Sequence, residues 1–560
     1  MLIDARLSEL QSITKDVCII GSGPAGISLA RELINQDIQV CLLESGGPYP
    51  DAQIQELADG FSMGEPIHPP IDVCTRQLGG NSNAWVIKIG NDQIGVRYAP
   101  LDEIDFEKRD WMPNSGWPFD KSHLNSYYER AQEVCQTGPF AYRPDSWENN
   151  QAKRLPLDED RIETAMFEFG PRKAFFQQYK EEIVGSKNIT IYSNATVVEI
   201  EANEACKTAT RVRVACLSGK QFWVSAKVFV LACGGFENAR LLLMSNQQHT
   251  AGLGNQHDVV GRYFNDHPIV YGGQFVPADP DLFNKTALYD LRRINGFPAM
   301  GYIKPSQKAL RREELLNLSA IFFPRPSQRQ ADAVESFKHL AKSALGKQFP
   351  QELPSHLLKT FLGLDYVTKA VYLAATKKQP LMPGLHQGGW SKLPKNQNRF
   401  ESFEIIHQIE QSPEPSNRVM LSRERDILGC PKLEVHWRWS QDDAERIRRG
   451  QLLIAKELYR AGLGNFHVEH EDGIPKIGCP SGSHHLIGTT RMHNNPNQGV
   501  VDADCRVHGL SNLYIAGSSV FPTGGYANPT LTIVALSLRL GDLLKQEFAK
   551  KSLALNLSET

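Results

Sequence analysis

The hydrophobic pattern near the C-terminus predicts a short buried strand and a long helix that meet at one loop. Residues 512–516 are mostly apolar and end at Gly517, a pattern typical of a buried strand that stops at a site. After a loop with several glycines, Pro529 begins a run of apolar residues at helical spacing, and proline favours the first turn of a helix. The loop holds Asn528, and His485 lies upstream. We expect these two polar side chains to face each other.

A second pattern, near the N-terminus, predicts a strand–turn–helix–strand unit over residues 16–44. Two apolar runs flank the turn GSGPAG and a helical segment, and the second run ends at Glu44. Such a unit binds a dinucleotide, because glycines let the backbone approach a pyrophosphate at the positive end of the helix. The acidic residue accepts hydrogen bonds from ribose hydroxyls and repels a 2′-phosphate, so FAD or NAD fits better than NADP. The turn residues predicted to contact the cofactor are Gly21, Gly23, Pro24, Ala25 and Gly26.

Two further glycine pairs predict backbone close to a ligand. Gly79 and Gly80 lie in RQLGGNSNAW, a stretch without obvious secondary structure that a plain Gly–Asn turn explains as well. Residues 228–232 form a continuous apolar run, as expected for a strand covered on both faces, and lead through Gly234 and Gly235 into a helical pattern. This second strand–helix junction gives a cofactor another backbone contact.

Length and composition indicate an ordinary globular protein of two domains. The chain has 560 residues, of which 41% are hydrophobic and 22% are charged. A net charge of −2 argues against nucleic acid as a partner, and the absence of a polybasic block argues against an anionic lipid surface. The ten cysteines show no CxxC pair and no Cys/His ligand spacing, so we predict no metal site and a reducing compartment. Cys18 and Cys41 lie inside apolar runs, where we predict buried free thiols. The sequence has no signal-peptide pattern and no apolar run long enough to span a membrane, so we predict a cytoplasmic protein.

The middle of the chain, from about residue 269 to 479, has a mixed pattern that is rich in proline and charge. Residues 336–345 and 355–375 have helical periodicity, and we interpret them as a lid or a packed helical insertion. Contact of this stretch with a membrane surface or a partner is a second interpretation, which the pattern does not favour. Ser440 is a good N-cap for the helical segment that follows it.

Six motifs follow one another along the chain: GSGPAG with Glu44, RQLGGNSNAW, LACGGFENARLLL, DVVGRYFNDHP, HLIGTTRM and GSSVFPTGGYANPTLTIVALSLRLGDLL. In this order they resemble the glucose–methanol–choline (GMC) oxidoreductase family of FAD enzymes. The resemblance covers both ends of the chain and the block at 188–268, whereas the middle is similar only loosely. The segment RDWMPNSGWPF looks most like the branch that contains pyranose oxidases and sugar or polyol dehydrogenases.

The resemblance implies an α/β fold in which a Rossmann-like FAD-binding domain is interleaved with an α+β substrate domain. The FAD-binding segments are expected at 1–100, 188–268 and 479–560, and the substrate-domain segments at 101–187 and 269–478, with a helical insertion at about 331–378.

The resemblance also implies the site residues. His485 in HLIGT and Asn528 in YANPT match the family's catalytic pair, and the family register selects His485 over its neighbour His484. Some relatives attach FAD covalently to a histidine of the Gly–Gly loop, but Ala84 stands at that place, so noncovalent FAD is expected. Further cofactor contacts are expected at Asn81, Asn83, Val197, Cys233, Gly517, Asn528, Pro529 and Thr530.

The implied reaction is oxidation of an alcohol to a carbonyl, on a sugar, a glycoside or a similar polyol. His485, neutral near pH 7, accepts the hydroxyl proton, while Asn528 binds the same oxygen and orients the C–H bond toward flavin N5. Gln408, Glu410 and Gln411 contact substrate hydroxyls, or they merely end a strand. Two alternatives stay open: a flavin lyase or photodecarboxylase on the same fold, and a flavoprotein subunit without turnover. The electron acceptor is open among oxygen, a quinone and a partner protein.

Overall fold

The first large sheet of the protein is mostly parallel and contains the predicted nucleotide-binding unit. The computed structural model describes residues 1–9, 11–173, 175–346, 349–377, 387–393, 395–471, 473–478 and 482–558. Over these residues the sheet has eight strands, in the order Leu2–Asp4, Ile189–Ser193, Val40–Leu43, Ser12–Ile20, Gln221–Leu231, Ala209–Ala215 and Thr196–Ala202, with Leu513–Ile515 paired to Gln221–Leu231. All four residues of Val40–Leu43 are buried, because helices cover both faces of the sheet.

Helices surround this sheet and start at its loops. Pro24–Glu32 has proline in its first turn, and the C-terminal helix runs over Thr530–Ser558. These two helices approach closely, since a Cβ at Gly541 would lie 2.7 Å from the Cβ of Glu32. The strand Leu513–Ile515 and the helix Thr530–Ser558 confirm the strand and the helix that were predicted on either side of the Asn528 loop. The other helices beside this sheet are Asn125–Cys135, Phe176–Gly185 and Gly234–Met244.

The second large sheet is mostly antiparallel and draws on segments that alternate with those of the first. In the described chain its twelve strands follow the order Gln387–Gly388, Ile87–Ile89, Asp92–Tyr98, Ile162–Pro171, Phe297–Pro305, Leu318–Arg325, Ser402–Ile409, Ile269–Pro277, Ile474–Ile477 and His470–Glu471, with Arg292–Ile294 and Gly464–Val468 paired at its sides. Ile87–Ile89 and Asp92–Tyr98 belong to this sheet, although the first FAD-binding segment is expected to end at residue 100. A third, small sheet holds Gly60–Gly64, Pro431–Trp437 and Arg418–Arg425.

One long helix packs near the second sheet. The Oγ of Ser440 accepts the backbone N–H of Asp443 at 2.9 Å and caps the helix Gln441–Arg460, as predicted. The remaining α-helices outside the insertion, within the described residues, are Ala52–Gln55, Pro70–Val73, Glu103–Phe106, Leu282–Lys285 and Gln307–Glu313.

The helical insertion consists of three helices in its described part, Gln328–Leu345, Leu353–Leu362 and Leu364–Lys377. The helical pattern predicted over 355–375 is confirmed as two helices, which are separated at Gly363. A Cβ at Gly363 would lie 2.3 Å from the Cβ of Ala333, so the bend presses its backbone against the first helix of the insertion. The expected end of the insertion at residue 378 lies outside the described residues.

Disulfides, metal sites and membrane-spanning helices were not expected from the sequence, and the described part of the chain can be searched for each of them. The nine cysteines described there are free, and Cys18 and Cys41 are buried as predicted. No group of His, Cys, Asp and Glu side chains in that part has the arrangement of a metal site. None of its helices is both long enough and apolar enough to cross a membrane.

We expect Gly26→Ala to destabilise the fold. A Cβ at this position would lie 1.9 Å from the carbonyl oxygen of Gly21, so the backbone must shift at a cost of about 1–3 kcal/mol. Chemical denaturation followed by circular dichroism measures the loss. Gly185→Ala is the matched control, because its Cβ meets nothing within 4 Å and the free energy of unfolding should change by less than about 0.5 kcal/mol. Equal losses in the two variants would contradict the steric explanation.

Candidate active site

A long cavity runs along the carboxyl ends of the parallel strands and is lined by most of the predicted cofactor contacts. Those that line it are Gly21, Gly23, Pro24, Ala25, Glu44, Gly80, Asn81, Val197, Cys233, Gly234, Gly517, Asn528, Pro529 and Thr530. Three helices, Pro24–Glu32, Gly234–Met244 and Thr530–Ser558, begin at this cavity. Their free N–H groups and positive dipole ends favour a bound anion.

The glycines of the cavity fall into two groups. Gly21 and Gly26 allow backbone to meet backbone, since a Cβ at Gly21 would lie 2.5 Å from the carbonyl oxygen of Ala232. Gly23 and Gly234 instead border open space, because a Cβ at either position would meet nothing within 4 Å. A pyrophosphate can approach the backbone at the start of these two helices, because glycine has no side chain in the way. The residues present therefore fit the dinucleotide part of FAD.

Glu44 is held in place by the turn it follows. Its Oε2 accepts hydrogen bonds from the N–H and the hydroxyl of Ser22, at 3.0 and 2.7 Å, and its Oε1 accepts the N–H of Gly46 at 2.9 Å. Burial raises the pKa of this carboxyl, while these bonds and the charge of Arg76 lower it. The carboxylate oxygens keep lone pairs for further donors, so the predicted ribose contact is compatible with this geometry.

The Gly–Gly loop folds around its own asparagines. Asn81 accepts the N–H of Thr75 at 2.7 Å, and Asn83 donates to the carbonyl oxygens of Leu78 and Gly80 at 3.0 and 2.9 Å. Asn81 still lines the cavity, whereas Asn83 and Gly79 line neither this cavity nor the adjacent one. Asn83 is thus placed to shape the loop, and Ala84 lines the second cavity.

The second cavity, of about 630 Å³, adjoins the first and lies against the antiparallel sheet. His484, His485 and Asn528 line both cavities, so they stand where the two spaces meet. The sheet contributes Arg97 and Gln408 to the wall. A cavity of this size suits a small-molecule substrate beside the cofactor.

The loop of His485 is fastened to the segment of His267 by one carboxylate. The Oδ1 of Asp266 accepts the backbone N–H groups of His267, Ser483 and His485, at 2.6, 3.1 and 2.9 Å. The Nδ1 atoms of His267 and His485 then lie 3.0 Å apart. Neither residue of the Asp266–His267 pair was assigned a role from the sequence, although both stand in the motif DVVGRYFNDHP.

Burial keeps both imidazoles neutral. Desolvation and the charge of Arg97 lower the pKa of His267 to about 3. Desolvation, His267 and Arg97, in that order, hold the pKa of His485 well below the usual 6.5. His485 is therefore unprotonated at pH 7, as a proton acceptor must be.

Asn528 joins the same cluster through its oxygen. The Oδ1 of Asn528 accepts from the Nε of Arg97 at 3.0 Å and from the Nε2 of Gln408 at 3.3 Å. The same Gln408 nitrogen lies 3.3 Å from the Nδ1 of His267 and 3.4 Å from that of His485. One amide thus connects the two residues that the sequence singled out.

The three candidate substrate residues separate in the structure. Gln408 lines the second cavity, but Glu410 and Gln411 line neither. Glu410 makes a buried two-bond ion pair with Arg109, at 2.8 and 2.6 Å, and Gln411 accepts from the Nε1 of Trp437 at 3.0 Å. Both hold the EQSPEP loop, which matches the alternative that they end a strand.

Two further residues of the wall were given no role from the sequence. Arg97 lies in the strand Asp92–Tyr98, far from any recognised motif, and burial lowers its pKa to about 10, so it stays charged at neutral pH. His484, the rival of His485, lines the cavities but contacts His68, with ring centroids 4.6 Å apart, rather than the cluster around Gln408.

Family models match two parts of the chain. Residues 413–537 match the model described as GMC oxidoreductase, and residues 14–49 match the model described as FAD binding domain. The first range contains His485 and Asn528, and the second contains the glycine-rich turn and Glu44.

The chain is similar along nearly its whole length to curated enzymes. It is 26% identical to the fructose dehydrogenase large subunit of Gluconobacter japonicus, over 95% of this chain and 98% of that protein. It is 23% identical to the 6'''-hydroxyparomomycin C oxidase of Streptomyces lividus, over 95% and 92%. A solved formate oxidase of Aspergillus oryzae RIB40 shares the fold, with a TM-score of 0.53, 17% identity and coverage of 97% and 100%.

The strand-end cradle, the cluster at the meeting of the two cavities and these similarities agree with the architecture expected from the motifs. The chain is therefore similar to the GMC oxidoreductases, whose model matches residues 413–537, and it is an FAD-dependent enzyme that acts on CH–OH donors.

Proposed function

We propose that the enzyme oxidises a secondary or primary alcohol of a sugar, glycoside or polyol to a carbonyl, with His485 as the proton acceptor and Asn528 as a hydrogen-bond donor to the same oxygen. The observation that carries this proposal is the single amide of Gln408 in contact with both His485 and Asn528. It sets which atoms of the two side chains remain free for a substrate.

The hydrogen bonds assign the free atom of His485. A guanidinium N–H of Arg97 donates to the Oε1 of Gln408, so the Nε2 of Gln408 faces the histidines as a donor. We assign the proton between the two imidazoles to the Nδ1 of His485, so that the Nδ1 of His267 accepts it. The Nε2 of His485 consequently carries the lone pair that can take a substrate proton.

The free atom of Asn528 follows from the same bonds. Its Oδ1 is occupied by Arg97 and Gln408, so its Nδ2 is left to donate. A donor and an acceptor side by side fit one hydroxyl group: the Nε2 of His485 accepts its proton, and the Nδ2 of Asn528 binds the oxygen as negative charge develops.

The reaction removes one proton and one hydride from the alcohol. FAD, held by the residues of the strand-end cavity, would supply the acceptor for the hydride. The hydroxyl proton passes to His485, and the product is a carbonyl. Arg97 helps in two ways, because its charge keeps His485 unprotonated and its bond to Asn528 holds that side chain in position. We propose that FAD is held without a covalent bond, since Ala84 stands where some relatives have the attachment histidine.

The wall of the second cavity supports a hydroxylated substrate. Aromatic side chains, including Trp85, Tyr289 and Trp390, provide apolar surface, and polar groups such as Gln387 and Gln408 provide hydrogen bonds. The relatives named fructose dehydrogenase large subunit and 6'''-hydroxyparomomycin C oxidase point to the same class of substrate.

One observation favours the alternative of a flavin lyase or photodecarboxylase. The cationic Arg97 lies in the cavity wall, where it could bind a carboxylate. Two of its nitrogens, however, already donate to Asn528 and Gln408. This engagement favours the role of a positioning residue over that of a carboxylate anchor.

An anaerobic screen tests the substrate class. Sugars, glycosides and polyols are mixed with the oxidised holoenzyme in the absence of oxygen. We expect at least one of them to bleach the visible absorbance of the flavin. Readmission of oxygen then separates an oxidase, whose colour returns, from a dehydrogenase. Carbon dioxide release from a carboxylic acid under blue light, without bleaching by any alcohol, would instead support the lyase reading.

His485→Ala should slow anaerobic flavin reduction by about 10²- to 10⁴-fold, because the variant lacks the proton acceptor. Stopped-flow absorbance with a substrate from the screen measures this rate. His484→Ala is the matched control, since its ring lies outside the Gln408 cluster, and it should cost less than about tenfold. An unchanged reduction rate in the first variant, with normal flavin content, would remove His485 from the chemistry.

The rate of flavin reduction should stay on its plateau as the pH falls through 6.5. The unprotonated form of His485 is the active one, and its lowered pKa preserves that form below the usual histidine range. Arg97→Met removes a charge that lowers this pKa, so the acid limb of the profile should move to higher pH. Arg97→Lys keeps the charge and should keep the limb in place. A limb that moves equally in both variants would contradict the electrostatic role.

A further inference from the structure

One helix of the insertion turns its apolar side to the solvent. None of the residues of Leu353–Leu362 is buried. Leu357, Leu358 and Phe361 lie on one face, and they are 52%, 59% and 72% exposed. Leu362 extends the same stripe at helical spacing. In an ordinary surface helix this stripe faces the core.

The polar side of the same helix faces the protein. The Nδ1 of His356 lies 3.2 Å from the hydroxyl of Ser336, and its ring stacks on His339 with centroids 4.4 Å apart. Lys359 pairs with Asp332 at 3.8 Å. Polar contacts therefore dock the helix on Gln328–Leu345. Because its polar side is turned inward, its apolar stripe points to the solvent.

Neighbouring segments of the insertion expose further apolar side chains, and we call these together with the stripe of Leu353–Leu362 the apolar face. Besides the residues of Leu353–Leu362, its exposed members are Leu345, Phe349, Leu364, Val371 and Tyr372. They come from all three helices and the link between the first two. Exposed apolar patches of this kind mark interaction sites in soluble proteins.

The charge of the insertion differs from that of the rest of the chain. Residues 328–378 contain eight basic and four acidic side chains, whereas the whole chain has a net charge of −2. Lys338, Lys342 and Lys369 are exposed on the same helices as the apolar face. Leucine and aromatic residues with lysines around them match a lipid surface that carries negative headgroups.

We propose that the apolar face attaches the enzyme to an anionic lipid bilayer, with the helix Leu353–Leu362 lying in the plane of the headgroups. No helix of the described chain can span a bilayer, so the attachment is to one leaflet. The inference goes beyond the proposed function and does not depend on it.

The position of the insertion gives this attachment a consequence for the site. The strand before it, Leu318–Arg325, and the residues after it, Gln387 and Trp390, contribute to the wall of the second cavity. Both connections of the attached segment therefore lead to the substrate cavity. The attached segment is thus joined along the sequence, at both of its ends, to segments that form part of that wall.

Vesicle sedimentation tests the attachment with the intact holoenzyme. We expect the protein to bind vesicles of phosphatidylcholine mixed with phosphatidylglycerol. Binding to phosphatidylcholine alone should be at least about tenfold weaker, because each basic residue near an anionic surface raises the partition coefficient by about fivefold. Leu357→Ser combined with Phe361→Ser should lower the partition coefficient by about tenfold or more, since two large apolar side chains no longer enter the interface.

The matched control changes two apolar residues outside the insertion whose side chains are also more than half exposed, as those of Leu357 and Phe361 are. Ile427 and Tyr459 are 80% and 69% exposed, and their replacement by serine should leave vesicle binding unchanged. Flavin absorbance and the melting temperature verify that both double variants are folded. Equal binding by wild type and the L357S/F361S variant would overturn the proposal.

Gel filtration distinguishes a second copy of the chain from a lipid surface. A wild-type dimer that becomes monomeric in the L357S/F361S variant, without vesicle binding by either protein, would assign the apolar face to self-association and overturn the proposal. A wild-type protein that binds neither vesicle type and elutes as a monomer would overturn it as well.

Discussion

The amide of Gln408 is the constraint on which the active site depends, because it joins a side chain of the antiparallel sheet to the loops that carry His267, His485 and Asn528. Its oxygen accepts from Arg97, on the antiparallel sheet, and its nitrogen faces His267, His485 and Asn528. An amide has a fixed division of donor and acceptor, so an oxygen that accepts from Arg97 leaves the nitrogen to donate toward the histidines and Asn528.

Burial then determines the charges of the cluster. The two imidazoles, 3.0 Å apart, are kept neutral by desolvation and by the charge of Arg97, and Arg97 itself remains charged because its pKa, although lowered, is about 10. In the proposed reaction, this permanent cation among neutral acceptors would favour the negative charge that develops on the substrate oxygen. The same cation restrains Asn528, so position and electrostatics come from one side chain.

The sequence predicts those parts of the site that are encoded locally. The turn GSGPAG, the strand before Gly517 and the helix after Pro529 follow from spacing and residue type, and His485 and Asn528 follow from motifs. Arg97 could not be predicted, because a basic residue inside a strand has no local signature and gains its role from strands distant in sequence. His267 stood within a recognised motif, but only the fold brings its Nδ1 to His485.

The insertion illustrates a different limit of prediction. Helical periodicity in residues 353–362 indicates that one face is apolar, but it carries no information on which way that face points. In most surface helices the apolar face packs inward, and this expectation favoured a packed insertion. Here the inward contacts are made by His356 and Lys359, and the bend at Gly363 fixes the helix against its neighbour. The exposed face costs free energy in water, and a protein that keeps it offsets that cost when the face meets an apolar phase.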